Sequence, residues 1–245
     1  METSEDRILD GRVILNQPIE GYRAAVDPVL LAAAVRAQPG DRALDMGCGV
    51  GAAMLCLAAR IDGLEIDGLE IQPELAELAR QNVAANGFDD RIRVFEGNVA
   101  QPSPEIEEGA YAHVFANPPY MSGDRGNHSP NEIKRTADVE GEADLEDWVE
   151  AALKFCRPKG SVTFIYRADR LAEVMLGLSG KAGEITVFPL WPKEAENANR
   201  VIVRARKGIK TPMQLMNGLI LHNADGSYTE AADAALKGGE LRLRV

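Results

Sequence analysis

Apolar positions along the chain switch between two periods, and the switches mark out its elements. A short apolar run over Arg42 to Asp45 reads as a strand ending in glycines, followed by an Ala/Leu-rich helix over Gly51 to Arg60 and a strand over Leu64 to Glu70. Pro73 to Asn86 carries Leu75, Leu78, Ala79 and Val83 on one side, with proline at its start and Gly87 as its stop, and is predicted helical. Strands are predicted over Arg91 to Glu96 and Ala112 to Ala116, a helix over Leu145 to Cys156 stopped by Pro158 and Gly160, and a β-rich run over Ser161 to Arg167. Asp169 to Leu178 then reads as helix, and Glu184 to Pro189 and Arg200 to Ala205 as strands. Upstream, residues 1–25 read as an extension with a hairpin, Arg12 to Leu15 forming one strand. Asp27-Pro28 fits an N-cap with proline at the first helical position, opening a helix through Leu30, Leu31, Ala34 and Val35 that stops at Pro39-Gly40. Strands alternating with helices predict an α/β fold with a mostly parallel sheet. The last two strands, joined without a convincing helix, are expected to run antiparallel to each other.

Composition narrows the class of protein. The chain has 245 residues, 45% of them hydrophobic, which suffices for a sizeable core. A formal net charge of -11 excludes a non-specific polyanion binder and weighs against a nucleic-acid substrate unless basic residues gather on one face. Charge is indeed uneven: residues 121–150 carry nine acids against three bases, and residues 200–245 eight bases against four acids. Solvated surface explains either segment equally well. Cys48, Cys56 and Cys156 form no C-x-x-C pair and read as buried thiols of a reducing cytoplasm; His113, His128 and His222 are scattered, so no metal site is expected. The N-terminal residues lack a basic and then apolar signal pattern, and the apolar run Val29 to Val35 is too short to span a bilayer, so a cytoplasmic protein without membrane attachment is expected.

The first chemical signal is Leu44-Asp45-Met46-Gly47-Cys48-Gly49-Val50-Gly51, between a strand and a helix. Glycines there allow a sharp turn and close ligand approach, and the helix start presents free N–H groups. Alone, the pattern suits a dinucleotide site or a tight turn. Three companions sharpen it. Asp45 ends the first strand of the alternating run. Glu70 ends the second, 19 residues beyond Gly51, where a carboxylate can accept from both ribose hydroxyls. Asn98 follows the third, where a side-chain amide can reach an adenine edge.

The second signal is Asn117-Pro118-Pro119-Tyr120, directly after the strand Ala112 to Ala116. Two prolines remove two N–H donors, so the loop offers acceptors. An amine conjugated to a ring or carbonyl is a poor nucleophile because its lone pair is delocalised. The Asn117 side-chain oxygen and the Pro118 carbonyl can each accept one of its N–H bonds, favouring the pyramidal, charged form that develops during attack. Tyr120 can stack on the planar group.

The Asp-x-Gly-x-Gly-x-Gly pattern resembles that of class I S-adenosylmethionine-dependent methyltransferases, and Asn-Pro-Pro-Tyr after the fourth strand resembles their members that methylate adenine N6, guanine N2 or a protein glutamine amide. The resemblance implies a Rossmann-like class I methyltransferase fold: a mostly parallel seven-stranded sheet with an antiparallel terminal strand and helices on both faces. It implies S-adenosyl-L-methionine as cofactor and S-adenosyl-L-homocysteine as product, with Asp27, Asp45, Gly47, Cys48, Gly49, Gly51, Glu70, Ile71, Asn98, Val99 and Asn117 around the cofactor, and Asn117, Pro118, Pro119 and Tyr120 at the transfer site.

The ends of the chain narrow the resemblance. Gln17-Pro18, Gly21 to Leu31, Arg200 to Gly208, Leu219 to His222 and Gly226 to Thr229 are similar to the tRNA1(Val) adenine-N6 methyltransferase group. That implies a tRNA or other RNA partner, with Arg204, Arg206, Lys207 and Lys210 as phosphate contacts and Arg125, Lys134 and Arg135 as part of the substrate rim. Asn98 stands where many relatives carry aspartate, and Ala112 and His113 where an aspartate often precedes the fourth strand. A glutamine N5-methyltransferase, an rRNA guanine-N2 methyltransferase and an inactive cofactor-binding protein are the alternatives. The first usually carries a helical N-terminal domain, for which the 44 residues ahead of Asp45 leave little room. One methyltransferase domain is expected: 1–40 as extension and cofactor-covering helix, 41–207 as core, 208–245 as C-terminal extension. Oligomeric state leaves no signature in the chain.

Overall fold

The computed structural model describes residues 1–20, 23–119, 143–241 and 243. Its centre is a sheet of strands β3 (Arg42–Met46), β4 (Glu65–Glu70), β5 (Ile92–Glu96), β6 (Tyr111–Ala116), β7 (Cys156–Arg167), β8 (Ala182–Trp191) and β9 (Arg200–Lys207). Their order across the sheet is β8-β9-β7-β6-β3-β4-β5. β9 alone runs antiparallel, between β7 and β8. This is the expected seven-stranded, mostly parallel α/β sheet, including the antiparallel pairing of the last two long strands. Two short strands extend it along the edge of β8: β10 (Gln214–Leu215) and β11 (Leu219–Ile220). Pro189 lies in the gap between them, opposite neither, so on that side its missing N–H costs no ladder bond.

Helices cover both faces. On one lie α1 (Val26–Ala34), α2 (Ala52–Arg60), α3 (Pro73–Ala85) and the short α6 (Glu230–Leu236), packing around Leu30, Leu31, Met54, Leu55, Val83 and Ala235. On the other lie α4 (Leu145–Phe155) and α5 (Leu171–Leu178), packing Trp148, Val149, Phe155, Val174 and Leu178 against Val114, Val162 and Phe164. Burying a side chain of this size contributes about 1.5–3 kcal/mol. α3 forms where the periodicity places it because its buried residues share a face and Gly87 (φ 67°) closes it, whereas α2 is buried all round, from Ala52 to Ala58.

Two local readings are corrected. The N-terminal hairpin exists, but as β1 (Thr3–Ile8) and β2 (Val13–Pro18), longer than the expected Arg12 to Leu15. Asp27 is not the N-cap of α1. The helix starts two residues earlier, after Ala25, without a side-chain cap, and Asp27 sits in its first turn paired with Arg200 (Nε–Oδ2 3.1 Å). Part of the acidic run has a structural use: Asp144 and Asp147 form a reciprocal capping box on α4 (3.0 and 2.9 Å). Among the described residues no helix is long and apolar enough to cross a membrane.

Candidate active site

Strand register decides which residues meet. Met46 pairs with Ala116 and with Leu69, and Glu70 pairs with Glu96. The residues that follow, Gly47, Asn117, Glu70 and Gly97-Asn98, therefore stand side by side at the carboxyl ends of four adjacent parallel strands. Neighbouring strands lie about 4.8 Å apart, so Asn117 and the glycine loop face the same crevice, where ligands bind in open α/β sheets.

The glycine loop is locked by its neighbours. Gly47 and Cys48 donate to the Leu69 carbonyl (2.8 and 3.0 Å), and Gly51 donates back to Cys48 (2.8 Å). Gly47 has φ 68°, and a Cβ there would lie 2.6 Å from the ring of Trp148, so only glycine fits beneath α4. Gly49 (φ 55°) differs: a Cβ on it would meet nothing within 4 Å. Its backbone faces open space, which is the cradle a ligand requires.

Two carboxylates brace the loop. Asp45, fully buried, accepts from the Met54 amide at the start of α2 (3.1 Å). Burial pushes its pKa well above the ordinary value, the Met54 amide pulls the other way, and the Glu70 charge adds to the rise. Glu70, 5% exposed, accepts from Gly49 (2.8 Å) through one oxygen and from Gln72 (2.9 Å) through the other. Burial raises its pKa too, opposed by those backbone amides. The Ile71 amide also acts on it; an ionised carboxylate has about four acceptor sites, so acceptor capacity remains for a ribose hydroxyl. The Asn98 side-chain oxygen accepts from the Ala100 amide (2.9 Å), so its amide nitrogen is the end left to donate. Val99 and Cys48 are buried and Ile71 half-buried beside this row. All three cysteines are buried and free; burial pushes Cys56 up to about 12 and Cys156 to about 11, so neither is a nucleophile near neutrality.

Three supporting residues had no sequence signal of their own. Tyr166 on β7, 1% exposed, donates its hydroxyl to the Pro119 carbonyl (3.3 Å) and so fixes the Asn117-Pro118-Pro119 turn from the next strand. Trp148 seats Gly47. Asn82, fully buried in α3, donates to the carbonyls of Val50 and Asn16 (2.9 Å each) and accepts from the Asn16 amide (2.8 Å), tying the hairpin to the glycine loop. Each depends on a partner far away in sequence.

Not every candidate joins the site. Tyr120, Arg125, Lys134 and Arg135 lie outside the described residues. Arg204, Arg206 and Lys207 do not border the crevice. Arg204 and Arg206 pair with Thr163 and Ser161, the latter opposite His113, at the amino ends of the parallel strands. His113 precedes Asn117 by four residues, about 13 Å of strand. A count of charges along the chain does not tell which end of the sheet carries these bases, because β9 runs antiparallel to its neighbours. At the carboxyl end, Arg200, Arg167 and Arg170 each have an acidic partner, Asp27, Asp169 and Glu173.

Residues 25–137 match a family described as the methyltransferase small domain. The chain is similar to a tRNA1(Val) (adenine(37)-N6)-methyltransferase of Porphyromonas gingivalis, with 32% identity over 63% of this chain and 62% of the relative. A second relative of the same name and species is 33% identical over 52% of its length, so the chain spans less than two thirds of these two proteins. A namesake from Aeromonas hydrophila is 26% identical over 85% of this chain and 86% of its own. Among solved structures, a protein from Agrobacterium tumefaciens described as a predicted O-methyltransferase superposes with a TM-score of 0.73 and 27% identity, covering 87% of this chain and 97% of that one. A tRNA (m1A58) methyltransferase from Aquifex aeolicus shares the fold at TM-score 0.57 and 15% identity, covering 79% and 73%.

Proposed function

We propose that the chain is a class I, Rossmann-like methyltransferase and that it transfers a methyl group from S-adenosylmethionine to the exocyclic amine of an adenine in tRNA. One observation carries the reading: the register that sets Asn117 beside Gly47 and Glu70 at the ends of adjacent strands. The residues fit the cofactor. Gly49 leaves open backbone, Glu70 keeps acceptor capacity for a ribose, and Asn98 keeps its amide nitrogen to donate to an adenine edge.

When bound, the cofactor supplies an electrophilic methyl on a sulfonium. The chain's own residues hold the nucleophile. The Asn117 side-chain oxygen and the Pro118 carbonyl accept the two N–H bonds of the amine and draw its lone pair out of conjugation. The proton leaves readily once nitrogen carries positive charge, so no strong base is required. Proximity along the attack line provides much of the rate, and the adenine leaves its stack to reach the crevice. The names of the relatives from Porphyromonas and Aeromonas support adenine N6 in tRNA over a protein glutamine amide.

Incubating the protein with methyl-labelled cofactor and separate pools of tRNA, rRNA and release-factor protein tests the substrate. Label in tRNA, recovered as N6-methyladenosine, is expected; label in protein alone would rule the reading out. Asn117→Ala should keep S-adenosylhomocysteine binding within about two-fold, while transfer falls by about 10² or more, the usual cost of one such transition-state contact. Transfer at the parent rate would discard the Asn117 mechanism.

A further inference from the structure

At the amino ends of the strands, opposite the candidate active site, lies a polar cavity of about 270 Å³. Five cationic side chains line it: Arg36 beyond α1, Arg157 and Lys159 in the first turn of β7, and Arg204 and Arg206 on β9. The chain as a whole carries a net charge of -11, so this convergence runs against its average.

The lining is built rather than incidental. Arg204 is 7% exposed and Ser161 3%, so a charged group and a hydroxyl are both held at the buried part of the cavity. His113 is fixed between Ser161 Oγ (2.8 Å at Nδ1) and Asp41 Oδ2 (3.2 Å at Nε2). Burial holds the His113 pKa below its usual value despite the pull of Asp41, so it is neutral near pH 7, and with both nitrogens bonded it holds Ser161 and Asp41 in place. The turn that carries Arg157 and Lys159 is forced. Lys159 has φ 64°, and a Cβ on Gly160 would lie 2.8 Å from the Ala112 carbonyl. Arg206 donates to the Lys159 carbonyl (3.1 Å) and locks the turn to β9.

Acids offset only part of the charge. Asp41 lies 3.4 Å from Arg157, and Glu184 pairs with Arg206 at 3.1 Å. Arg36 makes no hydrogen bond or ion pair among the described residues, and the Lys159 ammonium makes none there either. Arg36 and Lys159 thus keep their charge open to a ligand among the described residues, an arrangement suited to an oxyanion, and a guanidinium fork matches phosphate oxygens in pairs.

We propose that this cavity is a second ligand site, distinct from the methyl-transfer crevice, that binds a phosphoryl group. The group comes either from a free phosphate or polyphosphate or from the backbone of a bound RNA; the chemistry of the cavity is the same for both. Because it lies at the far end of the sheet, it acts without touching the reacting atoms, and it does not depend on the methyl-transfer reading.

Calorimetric titration of the full chain with inorganic phosphate and with pyrophosphate, alongside filter retention of a tRNA pool, tests it. Parent protein should bind pyrophosphate at one site, more weakly as salt rises. Arg36→Gln and Lys159→Gln should each weaken binding about ten-fold, the loss of one charge-assisted contact, and the double variant should abolish it, while Lys237→Gln, on the surface outside the cavity, changes nothing. Loss of pyrophosphate binding with unaltered tRNA retention supports a free anion. Weakened tRNA retention that pyrophosphate competes away in the parent supports an RNA phosphate. A folded double variant indistinguishable from the parent in both assays would overturn the site. S-adenosylhomocysteine binding, measured on the same proteins, should not move. Failure of methyl transfer with anion binding intact would count against the proposed activity alone.

Discussion

Asp45 and Glu70 place two carboxyl groups within one buried loop, and burial raises the pKa of each. The sign of the resulting pH dependence follows directly. A carboxyl whose folded pKa exceeds its unfolded value binds its proton more tightly in the native state. It therefore stabilises the fold below the unfolded pKa, near 4, and that contribution is lost as pH rises through the folded pKa. Asp45→Asn keeps an oxygen for the Met54 amide and removes the charge that burial penalises. The variant should melt at or above the parent temperature at pH 8, with the gap narrowing as pH falls toward 5. Thermal melts across that range check this, and a gap that widens downward with rising pH, the variant becoming the weaker, would sink it. Glu70 is the opposite case for function. Its cost in the free protein is offset by backbone amides and is expected to be returned when a ribose occupies its remaining acceptor capacity.

Among the elements, β7 does two things at once. Its middle pairs with β6 in parallel register, and its end carries Tyr166, whose hydroxyl holds the Pro119 carbonyl. Tyr166 is thus a positioning residue for Asn117. Tyr166→Phe keeps the ring in its buried place and removes one hydrogen bond, a cost of about 1 kcal/mol in stability. If the turn is set by that bond, kcat should fall about ten-fold while KM for the cofactor stays unchanged; a variant losing stability with kcat intact would make Tyr166 merely structural. Elements of this kind explain which parts of the chain were legible in advance. α3 and β3 to β6 were, because their apolar period is strong and their ends carry glycine or proline, and α2 was, as an Ala/Leu-rich run after Gly51. Gly47, Glu70 and Asn117 were, because each follows such a strand. Tyr166 and Trp148 were not, because their roles arise from register and from helix packing across many residues of chain. The bounds of β1 were hidden by its half-exposed pattern, and β10 and β11, two residues each, are too short for any period to register.

For the molecule as a whole, the sheet separates two chemistries. Its carboxyl end gathers the glycine loop, the buried carboxylates and Asn117, with Arg167, Arg170 and Arg200 each paired to an acid; its amino end gathers the cationic cavity. The N-terminal hairpin is joined to the first of these ends through one side chain. Asn82 reaches from α3 to Val50 in the glycine loop and to both backbone groups of Asn16 in β2, and Asn86 repeats the pairing one turn later with Ile14 (2.9 and 2.7 Å). This is a fully buried amide whose side-chain bonds all leave α3, to Asn16 and to Val50, so removing it leaves backbone groups of both without partners, at about 1–3 kcal/mol for one that is buried. Asn82→Ala should therefore lower the melting temperature by more than Asn86→Ala, which gives up contacts nearer to solvent. It should also weaken S-adenosylhomocysteine binding, because the Val50 carbonyl and the loop it belongs to lose their anchor. Asn86→Ala should leave that affinity nearly unchanged. Calorimetric binding beside thermal melts separates the two effects. Equal losses of affinity in both variants would mean that the hairpin, and not the Asn82 contact with the loop, supports the cofactor crevice.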